Sequence, residues 1–93
     1  MPSVVLRVPP ALAQFCAGER VLTMSGATVD EALADATARH PLLRGQLLDE
    51  RGRIREHLHL FLNDTDVRRN LDTVLQEGDE LTVLRAMSGG RSA

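Results

Sequence analysis

Hydrophobic and polar positions set the first element within a few residues of the start. In "SVVLRV", Val4, Leu6 and Val8 fall on one side and Val5 and Arg7 on the other, before Pro9-Pro10. A period of two residues predicts a half-buried strand. "ERVLTM" is short, partly β-branched and followed by Ser25-Gly26, which predicts a second strand. "PPALAQFCAGE" then becomes the irregular link of a hairpin.

The period changes in "TVDEALADATARHP". Thr28 can cap a helix, and Glu31, three residues on, completes a capping box. Val29, Leu33 and Ala36 form one apolar stripe. Asp30, Glu31 and Asp35 lie near the start, Arg39 lies near the end where the dipole favours it, and Pro41 stops the helix. "LLRGQLLDERGRIRE" suggests a short helix around Leu43 to Leu48 and then a charged turn. "HLHLFLND" alternates again, with Leu58, Leu60 and Leu62 opposite His57, His59 and Phe61, and turns at Asn63-Asp64. "TDVRRN" is a short edge strand. "LDTVLQEGDE" reads as a helical turn closed by Gly78, and "LTVLRAM" as a last strand with Leu81 and Val83 facing in. The order is strand, strand, helix, strand, short strand, strand. It predicts an α+β domain in which a mixed sheet of four to five strands packs against one main helix. The domain spans residues 1–86, and residues 87–93 form a flexible C-terminal tail.

Composition narrows the function. Ninety-three residues with 43% hydrophobic and 26% charged side chains form one small folded core. A net charge of −2 with mixed signs gives no basic field for nucleic acid or an anionic membrane. No apolar run approaches the ~20 residues needed to span a bilayer. The opening "MPSVVLRVPP" lacks a basic leader and cleavage site, so the expected location is cytoplasmic. The chain contains no lysine, hence no nucleophilic side-chain amine.

Candidate chemistry is sparse. Cys16 cannot form an internal disulfide and reads as a packing residue. His57 and His59 share a strand face, but two histidines are too few for a structural zinc site, so no metal is expected. His40 suits the negative end of a helix. Asp64 and Asp66 belong to a turn that uses such side chains on its own backbone. The cluster "DERGRIRE" reads as a solvated loop, with Arg51, Arg53 and Arg55 available to orient an acidic partner.

The strand and helix order, the "LFLNDTDVR" turn, the "EGDELTVL" approach to the last strand and the Gly89-Gly90 pair resemble the MoaD/ThiS family of ubiquitin-like sulfur carriers over nearly the whole chain. The resemblance implies a β-grasp fold and a carrier that catalyses nothing. It implies that the terminal glycine carboxylate is adenylated by an E1-like, ATP-dependent activating enzyme and converted to a thiocarboxylate. A biosynthetic enzyme then accepts the sulfur, for cysteine, molybdopterin, thiamine or a specialised metabolite. The carrier itself binds no cofactor. A glycine terminus suits this use, because it lacks the β-carbon that would obstruct a narrow channel. Extended, Met87 to Gly90 would reach roughly 14 Å.

Arg91, Ser92 and Ala93 follow Gly90, so the encoded chain has no free Gly90 carboxylate. The resemblance then requires cleavage after Gly90 and before Arg91, by a metal-dependent peptidase such as matures some carriers of this type. It also points to the sheet face away from the helix for docking, which gives Phe61, Leu84 and His59, together with Met87 in the tail. Whether the connection after the helix covers that face is open from sequence. Two other functions stay open beside the carrier: a protein modifier joined to amines through Gly90, and a binding-only β-grasp module with an inert tail.

Overall fold

The computed structural model describes residues 1–85. Strand β1 (Ser3–Arg7) pairs antiparallel with β2 (Val21–Ser25), placing Val4 opposite Met24 and Leu6 opposite Leu22. The chain then crosses to β3 (Leu58–Leu62), β4 (Thr65–Asp66) and β5 (Glu80–Arg85). β5 lies parallel to β1 and antiparallel to β3, giving the sheet order β2-β1-β5-β3-β4. Strict alternation decides which side is wet. Val4, Leu6, Leu22, Met24, Leu58, Leu60, Leu81 and Val83 are all buried on one face. Each such side chain stabilises the fold by about 1.5–3 kcal/mol relative to leaving it in water.

Helix α2 (Val29–Arg39) covers that face, burying Val29, Ala32, Leu33, Ala36 and Thr37. Thr28 caps it by accepting a hydrogen bond from the Glu31 amide at 3.3 Å, while the Glu31 carboxylate accepts from the Ala27 amide at 3.0 Å. The expected Thr28 cap is therefore present, with Glu31 reaching one residue further back than a capping box requires. Thr37 is a polar side chain in the core, and its hydroxyl donates to the Leu33 carbonyl at 2.9 Å, so its burial leaves nothing unpaired. Asp35 and Arg39 also guard the outer edge of β2. The Ser25 amide donates to Asp35 Oδ2 at 2.9 Å, Arg39 donates to the Thr23 carbonyl at 3.0 Å, and the two side chains pair at 3.0 Å. These contacts occupy edge groups that would otherwise template pairing with another chain.

Four details differ from the expectations. The link between β1 and β2 is helical, made of α1 (Pro10–Ala13) and a 3-10 turn at Gln14–Cys16, because Leu12 and Cys16 must both reach the core. Pro41 ends α2 but also opens α3 (Pro41–Leu47), a first-turn position where its missing amide is harmless. The charged segment is a tight hairpin, with Leu48 bridged to Ile54 and Ile54 buried in the core. Residues 71–79 are turns and a single bridge, not a helix. Val74 bridges Thr28 and the Leu75 amide donates to the Ala27 carbonyl, so this backbone is bonded to the start of α2 and cannot wind on itself.

Candidate functional site

The face of the sheet turned away from α2 is built by β3 and β5. Inward Leu58, Leu60, Leu81 and Val83 force His59, Phe61, Thr82 and Leu84 outward. In the antiparallel register His59 lies opposite Leu84 and Phe61 opposite Thr82. His59 and Phe61 stack obliquely, with ring centroids 6.5 Å apart and planes at 48°. Leu84 remains 47% exposed, whereas His59 and Phe61 are half-buried.

The connection from α3 to β3 does not cover these residues. Leu43, Leu47, Leu48 and Ile54 enter the same core cluster as Leu58 and Leu60, on the opposite side of the sheet. The open question left by the sequence is thereby answered, since apolar side chains in that connection bury more area under α2 than on the outer face. The outer face also carries an ion pair between Arg7 and Glu80 across the parallel β1 and β5 strands. Alternation about Leu81 and Val83 signals Glu80 and Thr82 on this face, although the pairing of Glu80 with Arg7 needs the strand order.

β5 ends at Arg85, opposite Leu58. The last described residue thus lies beside the Leu84–His59 pair. Met87, Gly89, Gly90 and the Gly90–Arg91 bond lie outside the described residues, as does the boundary between domain and tail.

Other candidates are resolved by their surroundings. Cys16 is fully buried, and burial, with Glu19 adding to it, pushes its thiol pKa up. It has the low thiolate character of a packing residue. His57 lies just before β3 and is exposed, and among the described residues no group of three or more His, Cys, Asp or Glu could hold a metal ion. Asp66 accepts a hydrogen bond from the Arg68 amide at 2.9 Å, the turn use expected for it. Among the described residues no helix is long and apolar enough to cross a membrane.

A mixed five-stranded sheet with a parallel central pair, curled over one main helix, is the β-grasp fold. The chain belongs to the ThiS family, which matches residues 10–90. Sulfur carrier protein CysO of Mycobacterium tuberculosis is 28% identical over 92 residues, covering 95% of this chain and 99% of the relative. Its crystal structure superposes with a TM-score of 0.83 at 27% identity, covering 90% of this chain and 99% of the other. The Amycolatopsis orientalis BexX/CysO complex contains a chain 32% identical, with a TM-score of 0.83 and coverage of 94% and 99%. Small archaeal modifier protein 1 of Methanosarcina acetivorans is 26% identical, with a TM-score of 0.79 and coverage of 97% and 98%.

Proposed function

We propose that this protein is a sulfur carrier whose working end is Gly90. Removal of Arg91, Ser92 and Ala93 by a metal-dependent peptidase frees the Gly90 carboxylate. An E1-like adenylating enzyme joins that carboxylate to the α-phosphate of ATP with release of pyrophosphate, and a sulfur nucleophile then displaces AMP to leave a thiocarboxylate. A sulfur-accepting biosynthetic enzyme takes the sulfur. The observation that supports this reading is the family match over residues 10–90, which takes in the Gly89-Gly90 pair.

On this proposal the labour is divided between a docking face and the tail. Leu84, Phe61 and His59 contribute the docking surface, an exposed apolar patch of the kind that marks partner contacts. Met87 extends it, and Gly89 and Gly90 enter the partner's active site. Because β5 leads directly from this patch into the tail, docking holds the reacting carboxylate within reach of the enzyme and converts an encounter into a near-unimolecular step.

The test is the intact mass of the protein from its own cells. Loss of Arg91 to Ala93 with a gain of about 16 Da, as sulfur replaces oxygen at the activated carboxylate, is expected. Full-length protein recovered while the pathway is running would overturn the reading. A protein-modifier role is the second reading, favoured by the likeness to small archaeal modifier protein 1. It predicts a covalent adduct of Gly90 with amines of other proteins in place of the thiocarboxylate, and never a lysine-linked self-chain, since the chain has no lysine.

A further inference from the structure

The sheet ends at β2, and hydrogen bonding fixes which way each of its backbone groups points. The Val8 amide donates to the Arg20 carbonyl, and the Gly26 amide donates to the Pro2 carbonyl. Arg20 and Gly26, and by alternation Leu22 and Met24, therefore turn their backbone groups toward β1. The positions between them face the other way. Val21, Thr23 and Ser25 direct their amides and carbonyls out past the edge of the sheet.

Two side chains of α2 reach over that edge. Asp35 Oδ2 accepts from the Ser25 amide at 2.9 Å, Arg39 Nη1 donates to the Thr23 carbonyl at 3.0 Å, and Arg39 Nη2 pairs with Asp35 Oδ2 at 3.0 Å. Asp35 and Arg39 are neighbours on the helix surface, so each holds the other in place. The clasp closes one outward amide and one outward carbonyl. It reaches neither group of Val21 nor the Thr23 amide.

The edge is complementary to itself. A second copy laid antiparallel about a two-fold axis at Thr23 puts Val21 of one copy opposite Ser25 of the other, and Thr23 opposite its own equivalent. Every outward amide and carbonyl of the three residues then meets its complement, where the clasp satisfies one of each. Face polarity is kept too, because Leu22 falls opposite Met24 of the other copy, both on the core side. The clasp acts against this arrangement in particular. Each Arg39 sits on the carbonyl of Thr23, the residue on the axis, so two intact clasps would bring two guanidinium groups together.

We infer that β2 is a self-association edge held shut by the Asp35–Arg39 clasp: the protein stays single while the clasp is closed, and two copies join strand to strand when it opens. The inference involves no Gly90 chemistry and stands apart from the carrier reading.

The test compares the full-length protein with its D35A/R39A variant by sedimentation velocity across the micromolar to millimolar range. Alanine suits both helical positions, so the variant keeps α2. The unmodified protein should stay monomeric, and the variant should dimerise at least about tenfold more tightly, because its edge no longer gives up bonds to charged groups on pairing. Asp35→Ala and Arg39→Ala alone should fall between the two. Thr23→Pro added to the double variant should restore the monomer, since it removes an outward amide that β1 does not use and proline is tolerated on an edge strand. Amide exchange followed by NMR should slow at Val21, Thr23 and Ser25 of the double variant as its concentration rises. A double variant that stays monomeric, association that survives Thr23→Pro, or protection that appears away from β2 would each overturn the inference. Tighter binding of an unrelated strand-forming peptide than of a second copy would give the edge another occupant and overturn it as well.

Discussion

Gly26→Ala is the sharpest test of how the main helix is seated. A β-carbon at Gly26 would stand 2.4 Å from the Ala32 nitrogen and 2.8 Å from both Ala32 Cα and the Glu31 carbonyl carbon. All three are backbone atoms in the first turn of α2, so no side chain can rotate away and the helix itself must move. That movement disturbs the Ala27 amide to Glu31 bond of the cap and the Leu75 amide to Ala27 carbonyl bond that ties the 71–79 turns to the helix. Overpacking costs about 1–3 kcal/mol, and a weakened hydrogen bond adds about 1 kcal/mol, giving roughly 2–4 kcal/mol in all. For a domain of this size that lowers Tm by about 10–30 °C, a large part of a total stability of about 5–15 kcal/mol. Thermal and urea melts of the full-length protein measure it. Gly45→Ala is the paired control, because Gly45 sits inside α3 with no atom within 4 Å of its added β-carbon. It should stabilise by about 0.5–1 kcal/mol, as replacing a helical glycine does. A Gly26→Ala protein within about 0.5 kcal/mol of the unmodified one would refute the close-approach argument.

Leu84→Ser should change stability by less than about 0.5 kcal/mol, since Leu84 is a surface residue, whereas Leu60→Ala should cost about 2–5 kcal/mol; chemical melts separate the two. The same Leu84 variant should slow thiocarboxylate formation by the activating enzyme, and an unchanged rate would remove Leu84 from the docking surface. Asp35→Ala should speed hydrogen exchange at the Ser25 amide by about fivefold, the loss of roughly one hydrogen bond. Asp49 has its carboxyl pKa held below the ordinary range, first by the Arg53 amide and also by the Arg51 amide. A lowered folded-state pKa contributes stability above the unfolded carboxyl's pKa and loses it as pH falls through the folded value, so Asp49→Asn should flatten the acid side of the stability profile in urea melts. Native Cys16 should resist iodoacetamide at mildly alkaline pH and react once denaturant exposes it, as followed by mass.

Where local pattern and tertiary demand agree, the residues were legible in one dimension. Alternation in "SVVLRV", "HLHLFL" and "ELTVLR" identified the strands and their inward sides, and Thr28 with Glu31 located the start of α2, because these signals arise from neighbours two to four residues apart. Outward placement of Phe61, His59 and Leu84 followed from the same parity. Residues 10–17 and 71–79 depart from what local pattern predicts for one reason: their conformations are set by distant partners. The helical link must deliver Leu12 and Cys16 to a core assembled from the whole chain, and the 71–79 turns bond to the start of α2 about 45 residues earlier, an arrangement only long-range hydrogen bonding produces.

The sequence by itself determined the α+β class, one core, the absence of lysine, and the Gly89-Gly90 pair. These depend on composition and short-range period alone. Only the tertiary structure decided that β5 lies between β1 and β3, that the connection after α3 folds under α2 and leaves Leu84 open, and that Asp35 and Arg39 reach the outer edge of β2. Strand order and loop docking minimise exposed apolar area over the whole chain, a quantity no window of neighbouring residues contains.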